Sequence, residues 1–176
     1  MEKIRTFVSI DLPENIQKEI KQIQNSLPSF EGKKTEPENL HLTLKFLGEI
    51  DKKKVGEIKE KLREIKFKEF ETKIAYIGFF YNKKYGVVWI HLPNCEKIQE
   101  EVDEKLSSLF EKERRFMSHL TIARVKKIKN KEEFLKKLRE IKFQKIRFGV
   151  KSFNLKKSTL MQEGPVYETL EEYGLS

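Results

Sequence analysis

The sequence predicts an α+β fold: a duplicated, bilobal arrangement of two antiparallel sheets, with helices on the outer faces and a central cleft on a pseudo-two-fold axis. Three observations point there. At 176 residues the chain fits one domain, or two small lobes sharing a core. Its apolar residues fall by turns at strand and at helix spacing. Three segments also recur in the same order at a nearly constant separation of roughly 80 residues, the mark of two copies of one structural unit. Phe7-Val8-Ser9-Ile10-Asp11-Leu12-Pro13 returns as Val87-Val88-Trp89-Ile90-His91-Leu92-Pro93, and His41-Leu42-Thr43-Leu44 returns as His119-Leu120-Thr121-Ile122. Leu62-Arg63-Glu64-Ile65-Lys66-Phe67 returns as Leu138-Arg139-Glu140-Ile141-Lys142-Phe143.

The unit reads as strand, helix, strand, helix, strand. An apolar run closed by Leu-Pro opens each copy. Ile16, Ile20, Ile23 and Leu27 then fall at helical spacing up to Pro28, matched by Ile98, Val102, Leu106 and Leu109, which predicts helices of about 14 residues. From Leu40 to Leu47 the apolar Leu40, Leu42, Leu44 and Phe46 alternate with His41, Thr43 and Lys45, a strand with one apolar face. Val55, Ile58, Leu62 and Ile65 mark a second helix, matched by Phe134, Leu135, Leu138 and Ile141. An apolar strand follows each, from Glu71 to Tyr81 and from Lys145 to Leu155. Copy one spans residues 4–82 and copy two residues 85–155, while residues 156–173, with Gly164-Pro165, read as strands that complete a sheet. The whole chain, 1–176, is expected to be a single bilobal domain.

Composition bounds the function. With 38% hydrophobic residues, 13 Phe, 5 Tyr and 1 Trp, the chain can build a core, and no apolar run approaches the length of a membrane span. Lys and Arg number 37 against 28 acids, a formal charge of +9 that favours a polyanionic partner, although the basic residues are interspersed with acids along helices. The single cysteine, Cys95, allows no internal disulfide and no multi-cysteine metal site. The opening Met1-Glu2-Lys3-Ile4-Arg5 lacks a signal-peptide apolar segment, so a cytoplasmic location is expected.

Two of the three histidines, His41 and His119, occupy the same slot of the repeat. Strand alternation puts His41 and Thr43 on one face about 6.6 Å apart, and His119 and Thr121 likewise. Lobes facing across a two-fold axis would then surround one centre with two imidazoles and two hydroxyls, a setting for a tetrahedral phosphate. Phosphodiester hydrolysis needs a base for the attacking oxygen and an acid for the leaving one, and two histidines near pKa 6.5 can supply both. Threonine hydroxyls can donate to the non-bridging oxygens. Zinc fits poorly, because it needs three or four ligands and the motif brings Thr rather than Asp, Glu or Cys. His91 matches Asp11 and reads as a surface or capping residue, and Ser118 as a strand start. The i, i+2 spacing is long for direct contact between a threonine and a histidine on the same strand, which disfavours a threonine nucleophile.

His41-Leu42-Thr43-Leu44-Lys45-Phe46-Leu47-Gly48 and Ser118-His119-Leu120-Thr121-Ile122-Ala123-Arg124 resemble the twin H-x-T-x motifs of the 2H phosphoesterases. Within that superfamily the chain is similar to the RNA 2′,3′-cyclic phosphodiesterases, historically called 2′-5′ RNA ligases, from Arg5-Thr6-Phe7-Val8 through Gly164-Pro165-Val166-Tyr167. The resemblance implies opening of a terminal 2′,3′-cyclic phosphate to a 2′-phosphate, with no metal or other cofactor. It implies that His41 donates the proton and His119 accepts one, and that Arg124 assists Thr43 and Thr121 in holding phosphate. Strict alternation gives Arg124 the parity of Leu120 instead, so a bulge or a long reach would be needed. Phe46 and the run Phe79-Phe80-Tyr81 are candidates for base stacking, with burial in the core as the alternative. The expected partner is RNA with a cyclic phosphate end, tRNA fragments among the candidates, and the expected state is a monomer away from membranes. Two other readings stand beside hydrolysis: 2′-5′ RNA ligation by the same steps in reverse, and non-catalytic RNA binding.

Overall fold

The structure, a computed structural model, describes all 176 residues. The first half runs β1 (Lys3–Asp11), α1 (Glu14–Asn25), β2 (Glu31–Lys34), β3 (His41–Asp51), α2 (Val55–Arg63), β4 (Phe70–Lys73) and β5 (Ile77–Tyr81). The second half runs β6 (Gly86–His91), α3 (Glu96–Lys105), β7 (His119–Lys127), α4 (Lys131–Glu140), β8 (Arg147–Val150), β9 (Ser152–Met161) and β10 (Gly164–Gly174). The fold is α+β, with two antiparallel sheets and four helices.

The larger sheet has the order β10-β9-β1-β3-β7-β6-β5, with β2 added beside β7. It is two wings rather than one surface, since β3 and β7 share only the residue pair Leu42 and Leu120. The first wing is β10-β9-β1-β3, and the second is β2-β7-β6-β5. Each wing borrows from the other half of the sequence: β5 pairs with β6, and β9 pairs with β1. β4 and β8 pair with each other as the small sheet. This exchange explains why two predicted strands are each broken in two. The residues between Glu71 and Tyr81, and between Lys145 and Leu155, serve first the small sheet and then the opposite wing. β2 escaped sequence reading because Glu31-Gly32-Lys33-Lys34 is exposed throughout and carries no apolar alternation.

The helices bury the faces their periodicity marks. Ile16, Ile20 and Ile23 of α1 and Ile98 and Val102 of α3 are essentially inaccessible, as are Ile58 and Leu62 of α2, with Phe134 and Leu138 of α4 also buried. Each such side chain contributes about 1.5–3 kcal/mol on leaving water. They pack on Val8, Ile10, Leu42, Leu44, Leu120 and Ile122 in one continuous core.

Two matching irregularities decide what faces the cleft. The register between β1 and β3 slips between Val8 and Ser9, leaving Leu44 as an extra residue in β3. The register between β6 and β7 slips between Val88 and Trp89, leaving Ile122 extra in β7. A bulge of one residue reverses which face every later side chain takes. The expected apolar face of β3 is therefore corrected beyond Leu44: Phe46 is 65% exposed, while Lys45 is turned inward and 2% exposed. Buried there, Lys45 donates to Asp103 of α3 at 2.5 Å and to the Glu111 carbonyl at 2.7 Å, and the other oxygen of Asp103 accepts from the Glu113 N–H at 2.7 Å. In β7 the bulge is secured from α1, where the buried Gln24 amide donates to the carbonyls of Ile122 and Thr35, both at 2.8 Å.

Candidate active site

His41 and His119 begin β3 and β7, beside the residue pair through which the two wings are joined. In each, Nδ1 lies 2.7 Å from a backbone carbonyl two residues back, that of Asn39 for His41 and of Met117 for His119. A carbonyl only accepts, so Nδ1 carries a proton in both rings, and in the neutral form of each ring Nε2 is the nitrogen with the lone pair. His41 is further boxed by Phe7, with ring centres 4.9 Å apart, and by Tyr167, edge-on at 5.1 Å. Trp89 stands edge-on to His119 at 6.3 Å.

The wings enclose a cavity of about 880 Å³ whose lining includes His41, Thr43, His119, Thr121 and Arg124. All five residues singled out in the sequence thus border one space. Arg124 reaches it because the Ile122 bulge corrects its strict-alternation parity. The same correction in β3 brings Phe46 to the cavity, at the slot of copy one that Arg124 holds in copy two. Of the other aromatic candidates, Phe80 is 54% exposed in the cavity, whereas Phe79 packs on Phe134 and on Tyr81.

One expectation about spacing is overturned. His41 Nε2 lies 2.9 Å from Thr43 Oγ1, a direct hydrogen bond between residues i and i+2. The Cα separation is that of a strand, but the imidazole is long enough to lean along it, and the Thr43 hydroxyl donates to the free Nε2.

Burial pushes the His41 pKa below its ordinary value; the hydrogen bond to Asn39 opposes this, and the nearby Lys156 adds to it. The imidazolium form costs most where water is excluded. We expect the His41 ring resonances, identified with single-histidine variants, to titrate with a midpoint below 6.5 in the free protein and to move upward when inorganic phosphate is added, since an anion favours the cation beside it. A midpoint at or above 6.5 without phosphate would contradict this arrangement.

The family comparison fits this geometry. The family model of LigT-like phosphoesterases matches the chain twice, over residues 10–89 and 92–167, and each match contains one histidine-threonine pair. The chain belongs to this family. Among the relatives of the LigT-like chain, the RNA 2′,3′-cyclic phosphodiesterase of Methanocaldococcus jannaschii is 42% identical over 97% of this chain and 100% of that protein. The RNA 2′,3′-cyclic phosphodiesterase of Archaeoglobus fulgidus is 36% identical, covering 97% and 99% of the two chains. In fold, the crystal structure of E. coli LigT in apo form superposes with a TM-score of 0.82 at 22% identity, over 100% of this chain and 99% of LigT.

Three other groups of this LigT-like chain, His91, Ser118 and Cys95, lie outside the cavity lining. His91 pairs with the Ser118 carbonyl at 2.9 Å and stacks on Tyr76, and neither histidine nor tyrosine borders the cavity. The Ser118 hydroxyl is buried and donates to the Leu92 carbonyl. Cys95 is buried, which pushes its thiol up to about 11 and leaves it unreactive. No three His, Cys, Asp or Glu side chains converge as a metal site, and no helix is long and apolar enough to cross a membrane. Sequence reading missed Phe7, Tyr167 and Trp89 as neighbours of the histidines. For Trp89 a signal existed, since it alternates with His91 and precedes it by two residues in the second apolar run.

Proposed function

We propose that this chain hydrolyses the 2′,3′-cyclic phosphate at an RNA end to a 2′-phosphate, without metal, with His41 as acid and His119 as base. The observation that carries the reading is the matched pair of imidazoles, held in the same tautomer at the junction of the two wings. The names of the relatives at 42% and 36% identity support the substrate.

His119 Nε2 takes a proton from water as the water oxygen attacks phosphorus. The P–O3′ bond breaks, and His41 Nε2 passes its proton to O3′, leaving a 3′-hydroxyl and a 2′-phosphate. Each proton transfer is worth roughly 10²- to 10⁴-fold. Thr43, Thr121 and Arg124 hold the non-bridging oxygens as charge builds. The acid must carry a proton, yet burial disfavours one on His41. The bound phosphodiester anion offsets this by raising the His41 pKa, so the acid is charged when substrate is present. The asymmetry between the copies supports a nucleotide: in the same slot of the repeat, Arg124 offers a guanidinium to the phosphate and Phe46 an exposed ring to the terminal base. The protein would act in the cytoplasm as a monomer, with tRNA fragments among its substrates.

The test is a metal-free assay. EDTA-treated protein, given an oligoribonucleotide ending in a 2′,3′-cyclic phosphate, is expected to yield a phosphatase-sensitive 2′-monophosphate identified by mass spectrometry. No opening anywhere between pH 5 and 8, a window about the ordinary histidine pKa, would leave non-catalytic RNA binding as the better reading.

A further inference from the structure

The wall of the cavity beside His119 is built for more than the reaction in it. Across the second wing, Trp89 pairs with Thr121 and Gly78 with Trp89, and in the next row Val87 pairs with Arg124 and Phe80 with Val87. Gly78 is required there, because a Cβ would stand 2.1 Å from the Trp89 indole, which lies flat across β5. Beyond Val87, Tyr85 is 49% exposed and follows a turn in which Asn82 Oδ1 accepts from the N–H groups of Lys84 and Tyr85 at 2.8 and 3.0 Å. Phe80 and Tyr85 therefore present two open rings at the outer end of the cavity.

Cations lie at both edges of this wing. Lys83 and Lys84 occupy the turn next to Tyr85. On the other flank β2 sets Lys34 on the cavity beside Arg124, in an approach so close that a Cβ at Gly32 would stand 2.1 Å from the Arg124 carbonyl oxygen. Lys34, Lys83 and Lys84 form no ion pair, whereas Lys33 is engaged with Glu36 at 2.6 Å. The cavity, at about 880 Å³, is near the upper end for a single small ligand. Exposed aromatic rings edged by free cations are the combination that binds single-stranded nucleic acid through its bases and backbone.

We propose that the Phe80–Tyr85 surface is a second nucleotide subsite, which takes the base of the nucleotide that precedes the cyclic-phosphate-bearing one in a single-stranded RNA, while Lys83 and Lys84 hold the adjoining backbone. This subsite rests on the hydrolytic reading above and deepens it by locating the penultimate nucleotide of the RNA on the second wing. The terminal nucleotide occupies the histidines and Phe46, and the chain then crosses to the second wing.

The test compares a cytidine 2′,3′-cyclic mononucleotide with a tetranucleotide ending in the same group, for the wild type and a Phe80→Ala, Tyr85→Ala double variant. Both rings are about half exposed, so the variant keeps its core. The wild type is expected to favour the tetranucleotide in kcat/KM, and the variant to lose about 5- to 150-fold on it, the range of one stacked base, with the mononucleotide unchanged. Equal preference in the wild type, an unaltered ratio in the variant, or an equal loss on both substrates would overturn the subsite. Anisotropy of a labelled tetranucleotide ending in a 2′-phosphate reads the subsite without turnover. If the wild type opens neither substrate but binds this probe more weakly in the variant, the hydrolytic reading fails and the subsite stands; equal binding by both proteins would overturn the subsite as well.

Discussion

Replacing His119 with Ala is expected to lower kcat/KM for a cyclic-phosphate RNA end by roughly 10²- to 10⁴-fold, and His41→Ala to do the same. Neither change should unfold the protein, because both rings border the cavity rather than fill the core. Circular dichroism and thermal melting check the fold, and initial rates check the chemistry. The two losses should not multiply in the double variant, since a site without its base gains little from its acid. Turnover unchanged in both single variants would remove the two-histidine mechanism altogether.

Asp103→Ala is expected to destabilise the protein by about 3–5 kcal/mol, the cost of leaving a buried charge without its partner. Lys45 is turned inward by the Leu44 bulge and has Asp103 and the Glu111 carbonyl as its acceptors. A paired replacement, Lys45→Met with Asp103→Leu, should recover most of the loss, since two apolar groups of similar size carry no desolvation penalty. Urea unfolding followed by tryptophan fluorescence measures both. If the single and the double replacement cost the same, the pair contributes through shape rather than charge.

Lys45 also shows where sequence reasoning stops. The helix faces and the placement of His41 with Thr43 and His119 with Thr121 were legible because each rests on a short-range period of the chain, and the duplication because whole segments recur in order. Strict alternation failed at Leu44 and at Ile122, since a bulge is set by neighbouring strands and by Gln24 or Asp103 on a helix distant in sequence. Strict alternation therefore turns both Phe46 and Arg124 away from the histidines, to the face of Leu42 and Leu120, until the register is known. The exchange of β5 and β9 was illegible for a related reason: a strand's period names its faces but not its neighbour. Tyr167 reaches His41 only through that exchange, since β10, its strand, is carried into the first wing by β9.

That exchange also governs how the chain can be made. When the first half has left the ribosome, β1 has β3 on one side and nothing on the other, and β5 has no partner at all; both wait for strands encoded later. Neither half can close its own sheet, so the smallest cooperative folding unit is nearly the whole polypeptide. Pairings between residues as distant as Arg5 and Ser158 give a high contact order, which places folding toward the millisecond-to-second end of the range. β5 gains β6 soon after, but until β9 emerges the nascent chain carries an open edge on β1 that can pair with the wrong neighbour. A nonsense mutation late in the reading frame would therefore yield an aggregation-prone fragment rather than one working lobe.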